Sequence, residues 1–181
     1  MQMFRRIFFT FITLLIILHF VPKVSAQPED VFPTSEPELL YNLPYPGILP
    51  DHPLYPLKRL RDAVMLLFAR DSVRSIELKR LFADKHLVMA QLLWEKGNYP
   101  LAYDTLLKGE RYLLASSIEI EKLKTVGQLP PGLSDMVELA AKKHIDVITR
   151  IIAYSSDEKK RSMLNEAMMI SNQAMDHITT E

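Results

Sequence analysis

The chain has 181 residues, with 22 basic and 22 acidic side chains, and it contains no cysteine. A balanced charge lacks the basic excess typical of nucleic-acid-binding domains, so we expect no nucleic-acid partner. Without cysteine the chain can form no disulfide, no thiolate nucleophile and no lipid anchor of the cysteine-linked kind. Its stability must therefore come from packing.

Residues 1–26 have the three parts of a secretory signal peptide. The positive pair Arg5-Arg6 precedes an apolar run over residues 7–21, and the small residues in Val24-Ser25-Ala26 offer a cleavage site before Gln27. The run is shorter than the ~20 residues of a typical spanning helix, which favours cleavage over retention as an anchor. Both fates place the remainder outside the cytoplasm, either secreted or tethered to the outer face of the cytoplasmic membrane. Membrane attachment is expected only if the segment is retained.

Eight of the twelve prolines fall within residues 27–56. Proline fixes φ and has no N–H to donate, so this stretch is predicted to contain neither a helix nor a central strand. We interpret residues 27–55 as a linker and lead-in, with a mobile tether over residues 27–43. From residue 44 onward an extended segment is favoured to pack partly on the helices. The alternative is a disordered spacer throughout.

Beyond Pro56 the apolar residues recur with a helical period, and no run of alternating β-branched residues competes with it. The pattern predicts an all-α domain over residues 56–181, an up-down bundle of four long helices plus a shorter first helix. The first helix is expected over about residues 56–70. Its apolar positions follow the helical period, with the charged residues outside: Leu57, Leu60, Val64, Leu67 and Phe68 against Lys58, Arg59, Arg61 and Asp62.

The starts of the four long helices are predicted from capping residues. The second helix is expected to begin at Asp71 or Ser72, and two apolar stripes indicate that it lies in the middle of the bundle. The third is expected to begin at Asn98 and the fourth at Ser134. The last is expected to begin at Ser155, which fits a capping box with the glutamate three residues later.

The segment PGILPDHPLYPLKR over residues 46–59 resembles the opening signature of an uncharacterised bacterial family of exported helical domains, a domain of unknown function. The segments ELKRLFADKHLVMAQLL (77–93) and GNYPLAYDTL (97–106) are similar to the next two helices of that family. The resemblance covers about residues 46–115, and PLYPLK (53–58) is its most specific part. It implies an extracytoplasmic helical fold and attaches no catalytic activity to it.

Sequence motifs for catalysis, metals and nucleotides are missing: H-E-x-x-H, paired E-x-x-H, G-x-S-x-G, the P-loop and G-x-G-x-x-G do not occur. Ser156 and Lys159 have S-x-x-K spacing, but they fall at a predicted helix cap and lack the partner motifs. We therefore expect that the chain is not an enzyme and that it binds no cofactor. His144 lies on an otherwise apolar helical face and is interpreted as a core or edge histidine. The alternative is an extracytoplasmic small-molecule or metal-binding bundle, with His144 and neighbouring acids lining a pocket.

The sequence favours an exported, non-enzymatic helical domain at the cell envelope, acting as a protein-interaction or structural module with an unidentified protein partner. Met163 and Met169 fall away from the apolar side of the last helix and are candidates for partner binding. Lys58, Arg59 and Arg61 are candidates for contact with an anionic surface such as lipid headgroups. The oligomeric state is not predicted.

Overall fold

The computed structural model describes residues 41–180, so the predicted signal segment and most of the predicted tether lie outside the described residues. That part of the chain contains five helices and no strand: α1 Tyr55–Phe68, α2 Ser72–Glu95, α3 Tyr99–Thr125, α4 Leu133–Tyr154 and α5 Glu158–Thr179. The all-α prediction is confirmed. Across these residues, no helix combines the length and hydropathy that crossing a membrane requires.

The four long helices form an up-down bundle because the turns between them are short. α2 packs on α3, and α4 packs on α5; α3 also contacts α4 and α5, and α2 contacts α4. Two clusters of buried apolar side chains fill the interior, one containing Leu113 and Val137 and the other Ile148 and Leu164. α3 lies near the centre of this arrangement, since it contacts all three other long helices.

Gly109 allows α2 and α3 to approach closely. A Cβ atom at this position would lie 2.9 Å from Cβ of His86 and 3.2 Å from the carbonyl oxygen of Ala83. Both distances are too short for an unstrained contact, and the second involves backbone that cannot rotate away. A glycine in the middle of a helix costs about 1 kcal/mol relative to alanine, and the close packing here accounts for its presence.

The beginning of α2 agrees with prediction, and that of α3 agrees in position. The Asp71 side chain occupies the N-cap and accepts a hydrogen bond from the backbone N–H of Arg74 at 2.9 Å. Asn98 holds the N-cap position of α3, although its side chain makes no capping hydrogen bond. A proline follows in the first turn of α3, where its missing N–H leaves no helical bond unmade.

The capping residues predicted for α4 and α5 are wrong. Gly132, rather than Ser134, holds the N-cap position of α4, with φ at 78°, a left-handed conformation that glycine adopts without steric cost. Asp157, rather than Ser155, caps α5 and accepts hydrogen bonds from the two backbone N–H groups that follow Glu158. A carboxylate in this position also interacts favourably with the positive end of the helix dipole.

The predicted orientation of the first helix is wrong for its apolar residues and for two of its four charged residues; Arg59 and Arg61 are exposed, as predicted. Among the described helices, only α2 has its backbone close to that of α1. Lys58 and Asp62, expected outside, are only 8% and 9% exposed. The five apolar residues expected inside are exposed, with between 43% and 77% of each residue open to solvent: Leu57, Leu60, Val64, Leu67 and Phe68.

The lead-in before α1 explains this orientation. The Lys58 ammonium donates to the carbonyl oxygens of Pro46 at 2.6 Å and Ile48 at 3.0 Å, and it lies 3.2 Å from Sδ of Met89 on α2. The lysine thus joins the lead-in, α1 and α2, and it must face inward to do so. The tether predicted over residues 27–43 is wrong at its end, since Tyr41 and Leu43 pack against the core clusters.

Candidate functional site

Polar side chains from all four long helices meet inside the bundle. Asp84 of α2, Glu110 of α3, His144 of α4 and Ser171 of α5 are each at most 1% exposed. His144 Nδ1 lies 2.8 Å from Glu110 Oε1, and His144 Nε2 lies 3.3 Å from Asp84 Oδ1. The Ser171 hydroxyl donates to the second Glu110 oxygen at 2.6 Å. We refer to these four residues as the buried network.

The second oxygen of Asp84 connects the buried network to the edge of the bundle. It accepts hydrogen bonds from the Tyr41 hydroxyl at 2.7 Å and from the Arg80 guanidinium at 3.1 Å. Arg80 also donates to the Tyr41 oxygen. Burial and the neighbouring Asp84 carboxylate raise the pKa of Tyr41, so this hydroxyl keeps the proton that it donates.

His144 is positively charged at neutral pH. Burial by itself lowers the pKa of His144, but the Glu110 carboxylate and the hydrogen bonds to Asp84 and Glu110 outweigh burial and raise the pKa to about 9. An imidazolium donates from both ring nitrogens, here one to each carboxylate. His144 and Arg80 together balance the two carboxylates, so the charges in the network are paired.

The buried network is closed to solvent within the part of the chain that the structure describes. Its side chains are almost completely buried, and each ring nitrogen of His144 already has a carboxylate partner. A metal would need a neutral imidazole with a free nitrogen. Within residues 41–180, no group of three or more histidine, aspartate or glutamate side chains is placed to hold a metal ion. His144 is therefore a core histidine, as predicted, with acidic neighbours.

Sequence reasoning missed Asp84 and Glu110. The signal for Glu110 is its spacing, because it lies four residues after Leu106 and three before Leu113, both of which face the core. A charge on such a face is buried, and a buried charge requires a partner. The partner, His144, is 34 residues further along the chain, so the pairing becomes visible only in the folded structure.

The second feature is the outward side of α1, which we call the α1 face and define by the five exposed residues named above. They follow the helical period and share one side of the helix, so they form a continuous apolar strip. Folded proteins seldom expose a contiguous apolar patch of this kind unless it contacts a partner or a membrane. The α1 face is therefore the candidate binding surface.

A cavity of about 720 Å³ opens at one edge of the α1 face, between α1, the lead-in and α2, and Leu57, Leu60 and Val64 of that face line it. Its walls are mostly apolar, and among the described residues that line it the charged ones are Lys58, Arg61 and Lys85. Lys85 forms no ion pair with any residue that the structure describes. Burial lowers the pKa of Lys58, nearby Asp62 opposes this shift, and the charge of Lys85 adds to it. The cavity thus carries excess positive charge.

The candidates for contact with an anionic surface separate into two groups. The Lys58 ammonium is held by two backbone carbonyls inside the protein, so it cannot reach a surface outside. Arg59 and Arg61 are exposed beside the α1 face, and for them the prediction stays open. Arg61 also forms an ion pair with Asp62 at 2.7 Å.

The predicted methionine surface contains one strongly exposed side chain. Met169 is 70% exposed and Met163 is half-buried. Among the described residues of α5, Met169 is the one strongly exposed large apolar side chain, so it does not belong to a patch on that helix. A role of these two residues in partner binding stays a prediction.

The family described as a domain of unknown function, DUF5667, matches residues 47–158, which is more than half of the chain. No significant match links the chain to a curated protein or to a solved structure. The matched stretch includes α1 to α4 and three members of the buried network, and it ends at the first residue of α5. The chain belongs to the DUF5667 family of domains of unknown function.

Proposed function

We propose that the chain is an exported, non-enzymatic helical module that binds the outer surface of the cytoplasmic membrane through the α1 face. The observation that supports this function is the orientation of α1. The helix directs Lys58 and Asp62 inward and three of its four leucines outward, the reverse of a helix that stabilises a bundle by its own burial. Such an arrangement is favourable when the apolar side of the helix can leave water and enter the apolar part of a lipid bilayer.

The composition of α1 is that of a helix lying in a lipid interface. Such helices combine leucine and phenylalanine on one face with arginine or lysine at its borders. Arg61 lies at the border of this face and Arg59 is exposed further round the helix, while the single acid of α1, Asp62, is buried. A membrane surface containing anionic lipid would therefore meet apolar and positive groups and no exposed acid on this helix.

The energies fit reversible binding. Burying an exposed leucine or phenylalanine contributes about 1.5–3 kcal/mol when the transfer is complete. Each basic residue near an anionic surface adds about 1 kcal/mol. The α1 face offers five partly exposed apolar side chains, which supports docking and release. The predicted signal segment would deliver the domain to the same side of the membrane, whether it is cleaved or retained.

The interior supports a binding role over a catalytic one. The histidine and carboxylates of the buried network, which are the groups best suited to acid–base chemistry, have their hydrogen bonds directed to one another and are closed to solvent. Their arrangement instead stabilises the bundle on which α1 rests.

The experiment uses the absence of native cysteine. Leu67→Cys and Met169→Cys each allow attachment of one environment-sensitive fluorophore to the full chain, at positions that are 77% and 70% exposed. Vesicles would contain phosphatidylcholine alone or with phosphatidylglycerol, plus a spin-labelled lipid as quencher. We expect strong quenching at position 67, more with phosphatidylglycerol, and little quenching at position 169.

The two labels distinguish docking of α1 from attachment through the N-terminal segment. If residues 1–26 alone hold the chain on the vesicle, position 67 stays unquenched and the proposal is wrong. Equal quenching at positions 67 and 169 would also contradict it. Photo-crosslinking of position 67 to one protein in intact cells, with no lipid adduct, would identify a protein as the occupant and overturn the membrane proposal.

A further inference from the structure

We infer that the cavity beside the α1 face binds one anionic amphiphile, a single alkyl chain that carries a carboxylate or phosphate head. The inference rests on the proposed lipid-facing role of α1 and names the molecule that this part of the protein takes. At about 720 Å³, the cavity has the size of a small-molecule site. It is bounded by three separate parts of the chain, the lead-in, α1 and α2.

The apolar part of the cavity suits an alkyl chain. Ile48 and Leu54 of the lead-in and Leu57 and Met65 of α1 line it, and all four are exposed, to between 36% and 66%. An alkyl chain lying against them would remove apolar surface from water on both sides of the contact. Methionine adds a flexible wall that can adapt to chains of different length.

The polar part of the cavity selects a negative head. Lys58, Arg61 and Lys85 line it, and no aspartate or glutamate does. Lys58 already donates to backbone carbonyls, and Arg61 is paired with Asp62. Lys85 is half-buried and has no ion-pair partner among the described residues, so its ammonium is the group available to an incoming anion.

An anion at Lys85 would also relieve a repulsion within the protein. Burial is the main cause of the lowered pKa of Lys58, and the charge of Lys85 adds to it by disfavouring the protonated form. A carboxylate or phosphate between these side chains would form charge-assisted hydrogen bonds with Lys85 and offset its effect on Lys58. Free phosphate lacks the apolar contacts, and a neutral amphiphile lacks the charged contact, so both parts of the ligand are needed.

The experiment is photo-crosslinking of the full chain in solution, without vesicles, by a diazirine-bearing fatty acid. The alcohol of the same chain length serves as the neutral counterpart. Adducts are located by mass spectrometry of peptides. We expect a saturable adduct with the fatty acid on residues 54–65, weaker labelling by the alcohol, and no competition from millimolar inorganic phosphate. Competition by an alkyl phosphate would show that the two head groups share the site.

Two variants test the role of charge. Lys85→Glu reverses the charge in the cavity, and we expect at least a fivefold loss of the adduct. Lys122→Glu makes the same change on the exposed surface of α3 and should leave the adduct unchanged. Circular dichroism checks that both variants are folded. Adducts confined to residues 1–40, equal labelling by the alcohol, or an unchanged adduct in Lys85→Glu would each overturn the inference.

Different results would reject the membrane proposal and the amphiphile site. Quenching at position 67 by vesicles together with no adduct on residues 54–65 would leave docking of α1 in place and reject the amphiphile site. An adduct without quenching at position 67 would retain the site and reject membrane docking.

Discussion

His144 Nδ1 and Glu110 Oε1 lie 2.8 Å apart in the fully buried interior, although 34 residues separate them along the chain. Neither side chain reaches water, so removal of one leaves the other as an uncompensated buried charge. Asp84 and Ser171 extend the pair to α2 and α5. We interpret the buried network as a device that holds the four long helices in one register.

We predict that His144→Gln lowers the free energy of unfolding by about 3–5 kcal/mol, because two buried carboxylates lose their positive partner. Urea unfolding of the variant and the natural chain measures the difference. Ser171→Ala is the milder comparison, with a loss of about 1–3 kcal/mol from one unsatisfied acceptor. The double variant His144→Leu/Glu110→Leu should recover part of the loss. A cost below about 1 kcal/mol for His144→Gln would contradict a buried ion pair.

The stability of the bundle should fall as the pH rises from 6.5 to 9. The pKa of His144 is raised from 6.5 to about 9, so over this window the folded chain keeps a proton that the unfolded chain has lost. The free energy of unfolding then decreases by about 1.4 kcal/mol per pH unit. The contribution is complete below pH 6.5. Urea titrations across the window should give this slope, and His144→Gln should remove it. An equal slope in both proteins would assign the effect to another group.

His86 should make the bundle less stable as the pH falls below 6.5, which is opposite in direction to the effect of His144. Burial lowers its pKa to about 4; Nδ1 donates to the Phe82 carbonyl, and the buried Nε2 has no partner in the described structure. Between pH 6.5 and 4, His86 is therefore protonated in the unfolded chain and neutral in the folded chain. Stability should decrease by about 1.4 kcal/mol per pH unit on acidification.

The variant His86→Leu tests this assignment. It removes the titrating ring and its unpartnered nitrogen, so the difference in stability between variant and natural chain should shift in favour of the variant as the pH falls from 6.5 to 4. Thermal unfolding at several pH values measures that difference. A difference that does not change with pH would show that His86 is not the responsible group.

Lys58→Met should loosen the lead-in. The change leaves the carbonyl oxygens of Pro46 and Ile48 without their ammonium donor, at a cost of about 1–3 kcal/mol. Limited proteolysis should then cut residues 44–54 faster. Arg59→Met removes a neighbouring charge from the exposed surface and should stay within about 0.5 kcal/mol of the natural chain. Unchanged proteolysis in Lys58→Met would mean that the lead-in is held by other contacts.

Helical periodicity was sufficient to predict the all-α fold and the long helices, because their apolar stripes and the glycine and proline breaks agree with each other. It was insufficient for α1. A helical period divides residues into two faces, but it does not say which face is inside. Lys58 faces inward because backbone carbonyls of the lead-in accept its hydrogen bonds, and backbone acceptors leave no trace in a pattern of side chains.

The buried network was only partly predictable. The apolar face around His144 indicated burial, and the core position of this histidine is confirmed. Asp84 and Glu110 were missed because charged residues are normally placed outside, unless a partner is known. Their partner lies 60 and 34 residues away. Local spacing carries no information on such a distant contact.

The stretch matched by the family ends at residue 158, where α5 begins. α5 contributes four fully or almost fully buried apolar side chains to the interior: Leu164, Ala167, Ala174 and Ile178. A fragment cut at that boundary would leave the apolar sides of α3 and α4 in water and would deprive Glu110 of its Ser171 donor. We therefore expect the smallest piece of this chain that folds alone to be longer than the stretch by which its family is recognised.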